Sequence, residues 1–179
     1  RSFARVSQKV LLNIKKLYRN QPDKRQQGIK ELLLERGYKE GKQPFIFHRQ
    51  VNIDGTDVTV QIDLLSGEYE GTGKSHRHQR IQELHARKVR GCDLAFENPI
   101  EVTIEGYLPG GAKDSATIRV ASIVPFLTMK AIVLDSRMKE KDAYDIYYCL
   151  KQYSDRLDEL VSEFKTYLKN RLVQEGLSK

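Results

Sequence analysis

FIFHRQVNIDGTDVTVQIDLL, residues Phe45 to Leu65, reads as two strands joined by a tight turn. Both runs, Phe45 to Ile53 and Asp57 to Leu65, are rich in β-branched and aromatic residues. Asp54-Gly55 between them is a dipeptide that takes the positive φ of a hairpin turn at little cost. Side chains alternate along a strand, so Val58, Val60, Ile62 and Leu64 share one face of the second run and Thr59, Gln61 and Asp63 the other. Asp63 therefore points away from the main apolar face.

Working outward, Val6 to Tyr18 repeats apolar residues at Val6, Val10, Leu11, Ile14 and Leu17, which predicts an amphipathic helix. A second helix is expected from Asp23, as N-cap, to Arg36, with Gly37 as its C-terminal stop. Downstream of the hairpin, the loop SGEYEGTGKSHRHQR leads into an expected helix around Arg80 to Lys88. Pro99 to Gly106 and Ala116 to Ser122 form a second expected hairpin around Leu108-Pro109-Gly110-Gly111. From Val124 the pattern turns helical, with a possible break at the polar cluster Asp135 to Lys141. Between Ser154 and Val173, Leu157, Leu160, Val161, Phe164, Leu168 and Leu172 form a helical stripe suited to a core or a partner helix. The expected class is α+β, with residues 1–124 as an α+β core and 125–179 as a C-terminal helical region.

The chain has 179 residues, 39% hydrophobic and 31% charged, which suits one domain with a real core. No apolar run is long enough for a transmembrane helix. A net charge of +7 and a pI near 9.3 favour polyanionic partners, nucleic acid or nucleotide phosphates. Cys92 and Cys149 lie far apart without metal-ligand spacing, so a reducing, cytoplasmic compartment is expected.

Three features carry possible chemistry. In VPFLTMKAIVLDSRMKEKDAYDIYYCL, Val124 to Leu150, the residues Lys130, Arg137, Lys141 and Asp145 are separated by seven, four and four positions. One continuous helix would align all four on one stripe, either solvated, internally paired, or facing an anion. Between Lys74 and Arg90 lie Lys74, Arg77, Arg80, Arg87, Lys88 and Arg90, with His76, His78 and His85 interleaved. Beside a glycine-rich loop, Lys74 and Arg77 suit phosphate binding, although a solvated basic helix would look the same. His76 and His78 lack a third ligand at zinc spacing. Gly71-Thr72-Gly73-Lys74-Ser75 ends like a Walker A loop, but Glu68 stands where its first glycine is required. The third feature is Asp63 itself, placed near the end of an apolar strand, where a carboxylate can hold a divalent cation or accept a proton.

MKAIVLDSRMKEKDAYDIYYCL, carrying Lys130, Arg137, Lys141, Asp142 and Asp145, together with VQIDLL, resembles the nucleotidyltransferase family of AbiEii-type toxins within the polymerase-beta-like superfamily. The resemblance spans about Phe45 to Leu150. It implies transfer of a nucleoside monophosphate from an NTP to an acceptor hydroxyl, with Mg2+ on the triphosphate. By that carry-over Asp63 is the third catalytic carboxylate and a metal ligand. Lys130, Arg137 and Lys141 contact the triphosphate, and Asp145 orients one of these cations through an ion pair. An RNA acceptor and a cognate antitoxin protein are implied by the same resemblance. The family's D-x-D carboxylate pair has no counterpart between Arg1 and Phe47. The expectation is accordingly a fragment lacking its N-terminal strands and inactive alone. The alternative is a non-catalytic nucleic-acid or nucleotide-binding module using the basic segment 74–90.

Overall fold

The computed structural model describes residues 4–12, 28–53, 55–68, 78–81, 83–108 and 110–179. The fold is mixed α+β. It divides into two units, residues 1–89 with 104–116, and residues 90–103 with 117–179. The second unit thus takes in the whole of the expected C-terminal helical region.

The first unit is built around the second strand of the Phe45 to Leu65 hairpin. Strands β1 (Ala4–Leu12), β2 (Lys39–Glu40), β3 (Ile46–Ile53), β4 (Thr56–Ser66), β5 (His78–Ile81) and β6 (Leu84–Lys88) make one six-stranded sheet. β4 pairs with β3 antiparallel from Thr56 to Asp63 and with β1 parallel from Val58 to Ser66. β6 runs parallel to β4 at Leu65 and Ser66, where β1 already occupies the other edge, so β6 continues the edge on which β3 ends. Asn52 closes the β3–β4 turn. Its carboxamide accepts from the Gly55 N–H at 3.0 Å and donates to Asp57 at 2.7 Å, with Gly55 at φ 78°. The residue Asp54 lies outside those described.

The apolar face predicted for β4 is the core. Ile62 and Leu64 pack with Phe45, Phe47, Leu84 and Ala86. Ile29, Leu33 and Tyr38 cover this layer from helix α1 (Ile29–Glu35) and the turn behind it. The α1 terminus forms as its sequence implies. Gly37 takes φ 77°, its N–H bonds to the Leu34 carbonyl, and the Tyr38 N–H bonds to the Leu33 carbonyl, the paired closure of a glycine-stopped helix.

Three local expectations are corrected. Ala4–Leu12 is a strand, where a helix was expected over Val6 to Tyr18; residues 13–18 lie outside those described. Ala4, Val6, Val10 and Leu12 also satisfy a two-residue period, and the open edge of β4 offers nine paired positions that select the strand. Helix α1 is capped by Gly28, whose N–H bonds to the Glu31 carboxylate at 3.2 Å, so Asp23 is not its N-cap. The segment around Arg80 to Lys88 is the β5–β6 hairpin rather than a helix. Leu84 and Ala86, two apart, are both buried while Arg87 is exposed, a strand period that a helical stripe would not produce.

In the second unit, helices α2 (Ile123–Arg137), α3 (Glu140–Gln152), α4 (Leu157–Tyr167) and α5 (Arg171–Leu177) follow a 3-10 turn at Cys92–Phe96. Leu94, Val124 and Val173 form the buried centre, with Ile123, Phe164, Tyr167 and Leu172 around it. α5 approaches α2 closely. A Cβ on Gly176 would lie 3.2 Å from the Thr128 Cα, tighter than an ordinary contact, so a side chain there would press the two backbones apart. The C-terminal stripe is split, as the chain breaks between α4 and α5 at 168–170; Leu160 is buried while Leu157, Val161 and Leu168 stay exposed. Arg90 grips Glu175 in α5 with a forked pair of 2.6 and 2.8 Å, which lowers the Glu175 pKa.

β7 (Ile100–Tyr107) and β8 (Lys113–Val120) form the expected second hairpin, closed by Leu108 bonding to Ala112 and Gly111 at φ 80°. One face is a ladder of polar pairs: Glu101 with Arg119, Thr103 with Thr117, and Glu105 with Lys113, each at 3.0 Å. Ile100, Val102, Ile104 and Ile118 on the alternate positions are exposed.

Candidate functional site

The break between α2 and α3 creates the most heavily charged buried centre of the described residues. Met138 ends α2 in the left-handed conformation, φ 47°, and α3 restarts after Lys139. The four-residue stripe expected of one continuous helix is therefore folded back on itself. Lys130 and Arg137, two turns apart on α2, face Asp142 in the first turn of α3 and Asp145 one turn later.

Asp142 is the hub. Its side chain is 1% exposed, and it accepts from Lys130 Nζ at 3.0 Å, from Arg137 Nε at 2.7 Å and from Arg137 Nη2 at 2.9 Å. Lys130 Nζ also donates to Asp145 at 2.5 Å and lies 5.5 Å from the Phe126 ring centroid. The result is two cations and two anions held mutually within one network. Burial pushes Asp142 toward the neutral acid, but the bonds from Lys130 and Arg137 outweigh it and hold the carboxyl below its ordinary pKa. Burial likewise pulls Lys130 down, and Asp145 and Asp142 overcome that to hold the ammonium above its ordinary pKa. Both groups remain charged at neutral pH. The N-terminal end of α3 adds a favourable dipole at Asp142.

The network leaves donors unused. An ammonium has three N–H groups and a guanidinium five; among the described residues Lys130 spends two and Arg137 two. With side chains 14% and 29% exposed, the remainder can meet an anion from solvent without dismantling the pairs. Asp142 was legible in the sequence only as part of the KD-x-x-D pattern. That it, rather than Asp145, would be the buried centre depends on the helix break.

The other sequence candidates make no bond to this network among the described residues. Lys141 is exposed and makes no ion pair among the described residues. Lys74 and Arg77, with the Gly71 to Ser75 stretch and His76, lie outside the described residues. His78 and His85 meet through their Nδ1 atoms at 3.2 Å, their rings edge to face. Asp63 belongs to the first unit, on β4, half-buried and paired in register with Ile46 and with Lys9. Its Oδ1 accepts from Gln61 Nε2, and the buried Gln61 Oε1 has no hydrogen-bond partner among the described residues.

Mg2+ requires several hard oxygen ligands in near-octahedral order. Among the described residues no group of three or more His, Cys, Asp or Glu side chains gathers to hold a metal, and Asp63 has already engaged one oxygen with an amide. Cys92 and Cys149 are free thiols; burial, with Asp93 adding to it, pushes the Cys92 pKa up to about 12, which makes it inert. No described helix is long and apolar enough to cross a membrane.

Comparison with protein-family models, with curated proteins and with solved structures finds no match to this chain.

Proposed function

We propose that this protein is nucleotidyltransferase-like, of the AbiEii type, with a polymerase-beta-like core, and that Lys130 and Arg137 receive the polyphosphate of an NTP. A nucleoside monophosphate would pass to an acceptor hydroxyl with release of pyrophosphate, with RNA as the acceptor class and an antitoxin protein as the partner class. The observation that carries this reading is the buried Asp142 carboxylate fixing two cations on a neighbouring helix. Such a network is a poor way to gain stability, because desolvating the charges offsets most of their attraction. It is a good way to hold a guanidinium and an ammonium in fixed geometry, ready for phosphate oxygens, at no reorganisation cost on binding. Asp145 acts in this scheme by orienting Lys130, and Lys141 adds an exposed cation at the start of α3. Mg2+, when bound, would neutralise charge on the polyphosphate, with Asp63 as its candidate carboxylate ligand.

A second reading, a non-catalytic nucleotide or nucleic-acid binder, is favoured by the engagement of the Asp63 carboxylate with Gln61, since a catalytic base needs that oxygen available. One set of measurements separates the two. Calorimetry with an NTP and its monophosphate should show preference for the triphosphate, and Arg137→Gln should weaken triphosphate binding by about tenfold, a single charge-assisted interaction. Equal affinity in the variant and the parent rejects the phosphate role. In the full-length protein, Asp63→Asn, which leaves the core face of β4 untouched, should abolish transfer of labelled nucleotide to RNA. Triphosphate binding without any transfer by the full-length protein selects the non-catalytic reading.

A further inference from the structure

Helix α3 is inside out. On a helical wheel Lys141, Tyr144, Tyr147, Tyr148 and Lys151 fall within an arc of about 120°. Asp142, Asp145, Ile146 and Cys149 make up the opposite side, where Asp142 and Asp145 hold the ion-pair network. The charged acids are inside and the aromatic rings outside. Tyr144, Tyr147 and Tyr148 are 61%, 59% and 51% exposed. The Tyr144 and Tyr148 rings lie nearly parallel, 27° between planes, and Lys151 Nζ sits 5.9 Å from the Tyr147 ring centroid.

We propose that this outward face of α3 binds single-stranded nucleic acid by base stacking. Three flat rings, each more than half exposed and each ending in a hydroxyl, suit unpaired bases, whose own faces are free only in a single strand. The charge is complementary. Lys141 and Lys151 flank the rings and Glu140 is the only acid within the arc, because Asp142 and Asp145 are neutralised on the inner side. A protein partner would be met better by aliphatic side chains, and the exposed aliphatic residues of α3, Ala143 and Leu150, lie outside the arc. The surface shares only Lys141 with the proposed polyphosphate site, so its three tyrosines and Lys151 can fail or hold independently of the transferase reading.

The test is fluorescence anisotropy of the full chain with a labelled single-stranded oligouridine of about 12 nucleotides and with a duplex of the same length. Single strand should bind more tightly than duplex. Tyr147→Ala should weaken single-strand binding by about tenfold, and Tyr144→Ala and Tyr148→Ala likewise, whereas Phe at all three positions should retain it. Lys151→Gln should reduce the salt dependence by about one counterion. NTP affinity, measured in parallel, should not move in the tyrosine variants. Equal binding of duplex and single strand overturns the proposal, as does unchanged affinity in the alanine variants. Sedimentation showing that the alanine variants lose self-association while their RNA affinity is unchanged would assign the face to protein contact and overturn it too.

Discussion

Two sets of ion pairs in this molecule share the same chemistry and differ in nearly everything that decides their energy. In the α2–α3 network the acid at the centre is 1% exposed and reached by three N–H donors from two cations. On the β7–β8 hairpin, Glu101 and Arg119 are 59% and 71% exposed, Glu105 and Lys113 61% and 65%, and each pair has a single bond of 3.0 Å. Water screens the hairpin ladder and competes for every partner, while Asp142 has lost its water and its two cations must supply the replacement. Similar distances therefore carry different consequences. The network ties two helices together, whereas the ladder mostly keeps the polar face of a ribbon soluble.

The largest expected effect follows from taking the hub away. Asp142→Asn keeps the shape of the side chain but leaves Arg137 without its carboxylate and Lys130 with Asp145 alone. Breaking a buried pair by removing one partner costs about 3–5 kcal/mol. Because the Arg137 side chain, 29% exposed, can recover some hydration, the lower end of that range is expected in urea unfolding. A loss under about 1 kcal/mol would show that the network behaves like the surface ladder and remove the distinction between the two regions.

The pH dependence sharpens the same contrast. Asp142 is held below its ordinary pKa, so the stability it contributes is fully present above the unfolded carboxyl value, about 4, and is lost as pH falls through its lowered folded value. Lys130 is held above its ordinary pKa, so its contribution is fully present below about 10 and is lost as pH rises through the raised folded value. The stability gap between the parent and Asp142→Asn should thus be flat across neutral pH, close in acid below about pH 4 and narrow again in alkali above about pH 10. A gap that shrinks steadily between pH 5 and 8 would point to a different group.

What could be read from the chain before folding tracks how local the deciding interaction is. The Asp54-Gly55 turn, the Gly37 stop and the Leu108 to Gly111 turn were legible because each depends on backbone freedom at one or two residues. The helix break at Met138 was legible as a polar cluster. The apolar residues of β1 fit both periods, and pairing with β4, 54 positions away in register, decides between them, whereas β6 shows its strand period only in the alternate burial of Leu84 and Ala86. The candidate site divides in the same way. Lys130, Arg137 and Asp145 stood out by spacing, but the burial of Asp142 and the outward turn of the three tyrosines depend on the way α3 packs against α2. An amphipathic pattern tells which residues share a face, not which face meets the core. In α3 the aromatic side, the obvious choice for the interior, is the one in water.

The smallest expected effect lies on the hairpin. Glu101→Gln removes the charge from one rung while keeping a side chain that can still accept from Arg119, so about 0.5 kcal/mol or less should be lost. Surface attraction is screened within a Debye length of about 10 Å at 0.1 M salt and about 3 Å at 1 M, so even this difference should fade as salt is raised. Asp142→Asn should keep most of its effect over the same titration, because its partners touch it out of the reach of mobile ions. Parallel urea titrations of both variants at low and high salt measure this directly. If both differences fade together, the depth of Asp142 gives it no protection from screening; if neither fades, the hairpin pairs are held more firmly than their exposure allows.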